Sequence, residues 1–205
     1  MYYRKESNEN TFHWNNYKPS WNYKKIKNGT TRYSAGVLPY TYDQNGTLLF
    51  LLGKDLDGDW SDFGGRCEFK DHNDPINTAS REFYEETIGS VLSITDCIQK
   101  ISNCHENNIV LSKTLNGSPY YMYCMYTDFL NYSDTFCKTT NFIKYQFDRK
   151  STLKILEKVG IRWVTLDTLL TCIDNRDCST PISLRGVFYK TISEFKEKLL
   201  YLQKV

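Results

Sequence analysis

Two pairs of apolar segments, each joined by a short polar turn, stand out in the hydrophobic pattern of the chain. Residues 37–42 and 47–52 are mostly apolar and flank the turn sequence Asp43-Gln44-Asn45-Gly46. A turn of this composition between two apolar runs is typical of a β-hairpin. Residues 108–115 and 120–127 form a similar pair around Asn116-Gly117-Ser118-Pro119. The pattern therefore predicts two β-hairpins.

A different periodicity marks the end of the chain. Large apolar residues there recur at intervals of four, three, four and three positions, at Phe188, Ile192, Phe195, Leu199 and Leu202. This spacing places all of them on one face of an α-helix. We expect a single closing helix that packs this face against the core.

A central helix is predicted from its end signals. Asp74-Pro75 is typical of an N-cap followed by the first helical residue, and Gly89 of the residue that ends a helix. These signals bound a helix over about residues 75–88. Strands, this helix, further strands and a terminal helix together indicate an α/β fold.

The central helix carries an acidic cluster. Glu82, Glu85 and Glu86 fall on one helical face, where three like charges repel one another. A bound cation would relieve this repulsion, and hard carboxylate oxygens favour Mg²⁺ or Mn²⁺. The glycine pair Gly64-Gly65 upstream lets the backbone approach an ion or a phosphate closely. The alternative interpretation is a solvated acidic helix face.

These residues resemble the sequence box of the Nudix hydrolases. Gly65, the segment Arg81-Glu82-Phe83-Tyr84-Glu85-Glu86 and Gly89 stand at the box positions. The chain departs from the pattern in two places. The loop before Arg81 is two residues longer and has no glutamate at the position where the family has one, and one extra residue precedes Gly89. The loop offers Asp71, Asn73 or Asp74 in place of the missing glutamate.

The resemblance continues on both sides of the box. Residues 34–39 resemble the opening strand of the family, and residues 157–167 resemble its late strand, which contains Trp163 and leads into a short helix. The resemblance covers residues 32–202 and implies an α/β/α sandwich with a mixed sheet. We therefore expect a Nudix hydrolase domain over residues 32–205, preceded by a polar and aromatic arm over residues 1–31.

The resemblance also implies roles for individual residues. Metal ligation is implied for the three box glutamates, with Gly64 offering its carbonyl group. Glu157, six residues before Trp163, would be a further ligand or the general base, and Glu85 is the rival candidate for that base. The alternative for Glu157 is a solvent-facing position on an amphipathic helix starting near Ser151. Arg81 is expected to orient the carboxylates.

Composition sets broad limits on the protein. The 205 residues are enough for one domain with a substantial core, and the content of 40% hydrophobic and 15% aromatic residues excludes a disordered chain. The net charge of +2 does not by itself call for nucleic acid. No apolar stretch reaches the length of a membrane span, and the first residues lack a signal-peptide core. We expect an intracellular, cytoplasmic protein, in the host cytoplasm if the chain is viral.

The cysteines give no sign of a metal centre or a disulfide framework. There are seven, an odd number, and none form a Cys-x-x-Cys pair. Cys97, Cys104 and His105 lack a fourth ligand for zinc. Reduced structural thiols are expected.

The substrate implied by the resemblance is a nucleoside diphosphate linked to another group. The chain is rich in Asn, Lys, Ile and Tyr, and in this it resembles Nudix proteins encoded by large DNA viruses. Some of those proteins remove the cap of messenger RNA, so capped RNA is the leading specific candidate for the substrate. Free nucleotides, dinucleoside polyphosphates and diphosphoinositol phosphates are rivals, and an inactive nucleotide- or RNA-binding domain is the alternative. Aromatic and basic residues within 11–27 suit either a single-stranded RNA surface or an arm packed on the domain.

Overall fold

The computed structural model of this protein describes residues 32–175 and 182–203. The predicted arm of residues 1–31 and Cys178 lie outside the described residues. The strands are β1 Ser34–Tyr42, β2 Leu48–Asp55, β3 Trp60–Ser61, β4 Phe63–Arg66, β5 Ile109–Lys113, β6 Pro119–Tyr126 and β7 Lys158–Thr165. The helices are α1 Pro75–Thr87, α2 Ile94–Ser102, α3 Tyr132–Gln146, α4 Arg149–Ile155, α5 Leu166–Asp174, α6 Gly186–Glu194 and α7 Lys196–Leu202, with short 3₁₀ turns at Phe69–Asp71 and Glu106–Asn108.

All of these strands belong to one mixed sheet. Its main order is β3-β2-β1-β6-β5, while β4 pairs with β1 and β7 pairs with β2. The central strand β1 is antiparallel to β2 and β4 and parallel to β6. Both predicted hairpins are confirmed, since β1 pairs with β2 and β5 pairs with β6 in antiparallel register.

Helices cover both faces of the sheet. Neighbouring residues of a strand point to opposite sides, so the apolar strands present buried side chains on both faces. Val37 and Leu51 belong to one buried cluster with residues of α1, α2 and α3. Leu38 and Phe50, one position away on the same strands, belong to a second cluster with residues of α5, α6 and α7. Each fully buried side chain of this size stabilises the fold by about 1.5–3 kcal/mol. The expected α/β/α sandwich with a mixed sheet is confirmed.

The central helix forms where its end signals predict it. The Asp74 carboxylate accepts the backbone N–H of Ile76 at 2.8 Å, which caps the N-terminus of α1. At the other end Ile88 and Gly89 both adopt positive φ angles, of 55° and 62°, which ends the helix. The box glutamates therefore lie on a helix whose position is fixed from both ends.

The closing helix differs from its prediction. It is divided into α6 and α7 at Phe195, whose φ of −119° and ψ of 26° are not helical. Phe188, Ile192, Leu199 and Leu202 are nevertheless all buried in the same cluster. The apolar period was correct for the buried face but not for the continuity of the helix, because two short helices can present the same face to the sheet.

Membrane-spanning helices and disulfide bonds are both absent from the part of the chain that is described. None of its helices is long and apolar enough to cross a membrane. None of the six cysteines in this part of the chain forms a disulfide. Cys97 and Cys104 accordingly form neither a disulfide nor, with His105, a metal-ligand group in these two described ranges.

Candidate active site

Helix α1 divides the acidic cluster between the interior and the surface. Glu82 and Glu86, one turn apart, are buried, with 8% and 3% of each residue exposed. Glu85 lies at the edge of the same helix, with 47% of its side chain exposed. The solvated acidic face considered from the sequence is therefore wrong for two of the three glutamates. Burying two carboxylates is unfavourable unless other groups compensate their charge.

The glycine pair lies directly against these two carboxylates. The backbone N–H of Gly64 donates to Glu86 Oε2 at 2.8 Å. A Cβ atom at Gly65 would lie 2.5 Å from the carboxyl carbon of Glu82, which is too close for any other residue type without movement. Both glycines are in β4, which pairs with β1. The missing side chain at Gly65 makes room for the carboxylate of Glu82.

Arg81 connects the acidic residues of the loop and the helix. Its side chain is only 7% exposed. The guanidinium group lies 2.9 Å from Glu82 Oε1 and 2.8 Å from Glu85 Oε2, both measured from Nη1. Its Nη2 donates to the backbone carbonyl of Arg66 at 2.9 Å. Arg81 thus ties α1 to the end of β4 and holds two of the box glutamates in place.

Asp71 is the loop carboxylate that pairs with Arg81 at hydrogen-bond distance. Its carboxylate accepts two hydrogen bonds from Arg81, at 2.8 Å and 3.0 Å, in the bidentate arrangement that favours this pair. It also accepts from Thr78 Oγ1 and from the backbone N–H of Glu68, each at 2.8 Å. Burial raises the pKa of Asp71, but these hydrogen bonds, led by those from Arg81, bring it below its ordinary value. Of the three loop residues that the sequence offered, Asp74 instead caps α1.

A buried lysine that the sequence did not reveal completes the charge balance. Lys158, the first residue of β7, has a side chain that is 0% exposed. Its ammonium group lies 2.5 Å from Asp55 Oδ1 and 3.4 Å from Glu86 Oε1. It also donates to Ser61 Oγ at 2.8 Å. The available signal was Gly53 within the apolar run of β2, because a Cβ atom there would lie 2.9 Å from Lys158 Cδ.

Glu157 lies at the edge of this cluster. It is exposed and occupies the bend between α4, which ends at Ile155, and β7. The alternative considered from the sequence is correct in that Glu157 faces solvent, but wrong about the helix, which ends two residues earlier. Its negative charge contributes to raising the pKa values of both Glu82 and Glu86. The chain thus brings a fourth carboxylate into electrostatic range of the buried pair.

An open cavity adjoins the glycine pair. Its volume is about 870 Å³, near the upper end of the range for small-molecule sites. Gly64 and Gly65 line it, together with the start of β1, the turn between β5 and β6, and the beginning of α6. Its charged lining residues are Arg32, Arg66, Arg185 and Asp62. The cavity and the buried glutamates therefore both border the backbone of β4 at Gly64 and Gly65.

Asp62 lies in this cavity beside Tyr120. Only 6% of Asp62 is exposed, and its carboxylate accepts a hydrogen bond from the Tyr120 hydroxyl. Burial raises the pKa of Asp62 to about 6, against the lowering effect of that hydrogen bond. No sequence motif pointed to this pair, because its two members are far apart in the chain and meet only across the sheet.

Several solved structures show a partial likeness to this fold. A Nudix hydrolase from M. smegmatis, RenU, aligns over 83% of this chain and 88% of its own, with 13% identity and a TM-score of 0.45. A Nudix hydrolase from Nitrosomonas europaea covers 83% of this chain and 73% of its own, with 12% identity and a TM-score of 0.42. An Ap4A hydrolase from C. elegans covers 80% and 98%, with 15% identity and a TM-score of 0.38.

No protein-family model matches the chain, and no curated protein matches it. The structural scores above lie below 0.5, and the identities do not exceed 15%. Likeness at this level does not establish a family or an activity. The function must therefore be inferred from the site itself.

The carboxylates fit a hard divalent cation in their chemistry but are not arranged around one. In the described ranges, no three His, Cys, Asp or Glu side chains converge as a ready metal site. Arg81 and Lys158 instead provide the positive charge beside Glu82 and Glu86. Oxygen ligands of this kind are those that Mg²⁺ and Mn²⁺ prefer. A metal ion could be held only if at least one glutamate turned from its present partner.

The buried glutamates should make the metal-free protein less stable as the pH rises. Burial, the largest cause, raises the pKa from 4.5 to about 7 for Glu82 and to about 8 for Glu86. Between these limits the folded state binds more protons than the unfolded state, so the free energy of unfolding falls with increasing pH. The slope should reach at most about 1.4 kcal/mol per pH unit for each group.

Urea denaturation in the presence of a chelator, from pH 5 to pH 8, would measure this dependence. The double variant Glu82→Gln/Glu86→Gln should show a flatter profile, because neither amide titrates. A free energy of unfolding that rises across this range in the unmodified protein, or an equal slope in the double variant, would contradict the assignment of the pH dependence to these two residues.

Proposed function

We propose that this protein hydrolyses a diphosphate linkage in a nucleoside diphosphate joined to another group, with Mg²⁺ or Mn²⁺ as cofactor. Removal of the messenger RNA cap is the leading specific reaction. The proposal rests above all on the convergence of buried Glu82 and Glu86 on the Gly64-Gly65 backbone, beside a cavity lined by arginines. The resemblance of the sequence to the Nudix box supports the same reaction.

The chemistry of such a linkage explains why these residue types are useful. A diphosphate carries several negative charges, so an attacking water molecule needs a nearby base and the substrate oxygens need positive charge. A bound divalent ion would supply charge neutralisation and lower the pKa of a coordinated water. Glu82, Glu85 and Glu86 are the proposed ligands, with Glu157 and the carbonyl group of Gly64 as further candidates.

The proton of the water would pass to a carboxylate. Glu157 and Glu85 are the candidates for this base, since both side chains are exposed to solvent. Glu85 already accepts a hydrogen bond from Arg81 and lies 3.1 Å from Lys70 Nζ, so both of its oxygens are occupied. This occupation favours Glu157 as the base. Arg81, held by Asp71, would fix the direction of the carboxylates without touching the reacting atoms.

A binding domain without catalytic activity is the second candidate. It is favoured by the pairing of the buried carboxylates with Arg81 and Lys158, which balances their charge without a metal ion. Such a domain would still take a nucleotide or RNA in the arginine-lined cavity. The two candidates differ in their dependence on divalent cations.

Metal addition should stabilise the protein and support turnover if the first proposal is correct. A ligand that binds only the folded state raises the free energy of unfolding, by about 2.7 kcal/mol at a ligand concentration a hundred times Kd. The melting temperature rises with it. The rise should be larger at pH 8 than at pH 6, because protons compete for Glu82 and Glu86 below their pKa values of about 7 and about 8. Differential scanning fluorimetry with Mg²⁺, Mn²⁺ and Na⁺ at matched ionic strength would measure it.

The same preparation would be incubated with capped RNA, nucleoside diphosphate sugars, dinucleoside polyphosphates, free nucleotides and diphosphoinositol phosphates. Release of 7-methylguanosine diphosphate from capped RNA alone would establish cap removal. Turnover of another compound would retain the reaction and change the substrate. No turnover and no metal-dependent stabilisation would favour the binding domain.

A further inference from the structure

The cavity beside the glycine pair has a charge that the proposed hydrolysis does not require. Arg32, Arg66 and Arg185 come from three separate parts of the chain and line one concave space. Asp62 is the single acidic residue among the described residues that line it. Because Asp62 is buried and bonded to Tyr120, the cavity presents an excess of positive charge to a ligand.

These arginines differ from the cations of the acidic cluster in their partners. Arg81 and Lys158 are buried and held by several carboxylate contacts. In contrast, Arg32 and Arg66 are exposed, and no carboxylate of the described ranges lies within ion-pair distance of either. Among the described residues, Arg185 has one ion-pair partner, Asp55, at the long distance of 3.7 Å, and its side chain is 53% exposed. All three guanidinium groups can therefore bind an anion without breaking a strong native contact.

The position of the cavity relates it to the proposed site of hydrolysis. Gly64 and Gly65 line it and at the same time contact Glu86 and Glu82. A diphosphate that reaches the glycine pair would have its neighbouring groups in the cavity. Guanidinium groups bind phosphate with paired, charge-assisted hydrogen bonds, which distinguishes them from simple point charges.

We propose that Arg32, Arg66 and Arg185 form a phosphate-binding subsite that takes phosphate groups beyond the scissile diphosphate. This inference rests on the proposed hydrolysis for its place in a reaction, but the subsite is a binding property that can be measured separately. It selects substrates with a phosphate-rich extension, such as a longer polyphosphate bridge or the first phosphodiesters of an RNA chain, over nucleoside diphosphate sugars.

Binding of inorganic tripolyphosphate, measured by isothermal titration calorimetry in the presence of a chelator, tests the subsite without catalysis. The variants Arg32→Gln and Arg66→Gln should each weaken binding about tenfold or more, as expected for a lost hydrogen bond to a charged group. Both side chains are exposed, and the carbonyl group of Arg66 that accepts from Arg81 is unchanged by substitution. Arg149→Gln, at an exposed arginine outside the cavity, is the matched control and should bind as the unmodified protein does.

A kinetic comparison then tests the link to the reaction. With Mg²⁺ present, kcat/KM should be higher for diadenosine tetraphosphate than for diadenosine diphosphate, and Arg66→Gln should reduce this ratio. A capped ten-nucleotide RNA compared with the cap dinucleotide distinguishes RNA phosphodiesters from a polyphosphate bridge as the source of the extra phosphate. A ratio reduced in only one of the two comparisons identifies that source.

Failure of the subsite and failure of the hydrolysis give different results. Equal tripolyphosphate affinities for the arginine variants and the unmodified protein would overturn the subsite, whatever the protein hydrolyses. Weakened binding in these variants, with no substrate turned over, would support the subsite and reject the proposed reaction. Equal weakening by Arg149→Gln would show that the effect is one of overall charge and would overturn the subsite.

Discussion

Replacement of Glu86 by glutamine is expected to lower kcat by about 10²- to 10⁴-fold and to leave the fold intact, because a weakened metal site loses several kcal/mol of charge stabilisation in the transition state. Glu86 is the most buried glutamate of the acidic cluster, and its carboxylate is held by the Gly64 N–H at 2.8 Å. Glutamine has the same length and still offers an oxygen to this donor. What the substitution removes is the negative charge that a divalent ion needs.

The structure also indicates why this substitution should not unfold the protein. Burial raises the pKa of Glu86 to about 8, so near neutral pH the folded state already favours its neutral form. An amide in the same place avoids that burial penalty. Its NH₂ group would, however, face the Lys158 ammonium, now 3.4 Å from Glu86 Oε1. The two effects oppose each other, and the free energy of unfolding should change by less than about 1.5 kcal/mol, the scale of one net hydrogen bond.

Three measurements on this variant separate catalysis from folding. Single-turnover rates on the best substrate report the chemical step, Mn²⁺ titration followed by electron paramagnetic resonance reports metal binding, and urea denaturation reports stability. Glu197→Gln, at an exposed glutamate of α7, is the matched control. An unchanged rate in the Glu86 variant would remove Glu86 from the catalytic machinery, and a lost rate with unchanged Mn²⁺ binding would exclude it as a metal ligand.

Local signals in the sequence predicted the parts of the site that are close in the chain. Asp74, Pro75 and Gly89 fixed α1 to within one residue, because capping depends on neighbouring backbone groups. The hairpin turns were predicted for the same reason. Helices α2 and α3 were not predicted, although Ser93 caps the N-terminus of α2. The break at Phe195 has no glycine or proline to mark it.

The partners of the acidic cluster could not be predicted, because they meet through the sheet. Lys158 and Asp55 are 103 positions apart and come together because β2 and β7 pair in one particular register. Asp71 was one of three candidates in the loop, and only the fold of the 3₁₀ turn selects it. The arginines of the cavity come from segments before β1, at the end of β4 and before α6. Each of these contacts depends on strand order, which local pattern does not specify.

Replacement of Lys158 by methionine is expected to cause the largest loss of stability of any substitution in the site. Methionine fills much of the same space, which is confined by Gly53, so the main effect is the loss of charge. Asp55 and Glu86 would then lack their ammonium partner. Removing one member of a buried ion pair costs about 3–5 kcal/mol, because the remaining charge stays in a poorly solvated place.

The loss should depend on pH in a direction that identifies its cause. The ammonium group of Lys158 lowers the pKa of Glu86, against the larger raising effect of burial. Without it, Glu86 would take up a proton more readily, which removes the unpaired charge. The stability lost by the variant should therefore be smaller at pH 6 than at pH 8. Keeping Glu86 protonated in the folded state costs more free energy at pH 8 than at pH 6.

Urea denaturation of four proteins at both pH values would test this account as a double-mutant cycle. The unmodified protein and the single variants Lys158→Met and Glu86→Gln are compared with the double variant Lys158→Met/Glu86→Gln, in which no unpaired glutamate remains. The double variant should recover part of the stability lost by Lys158→Met. Lys138→Met, at an exposed lysine of α3, controls for the change of residue type. A loss below 1 kcal/mol at both pH values, or strict additivity of the two substitutions, would show that Lys158 and Glu86 do not compensate each other's charge.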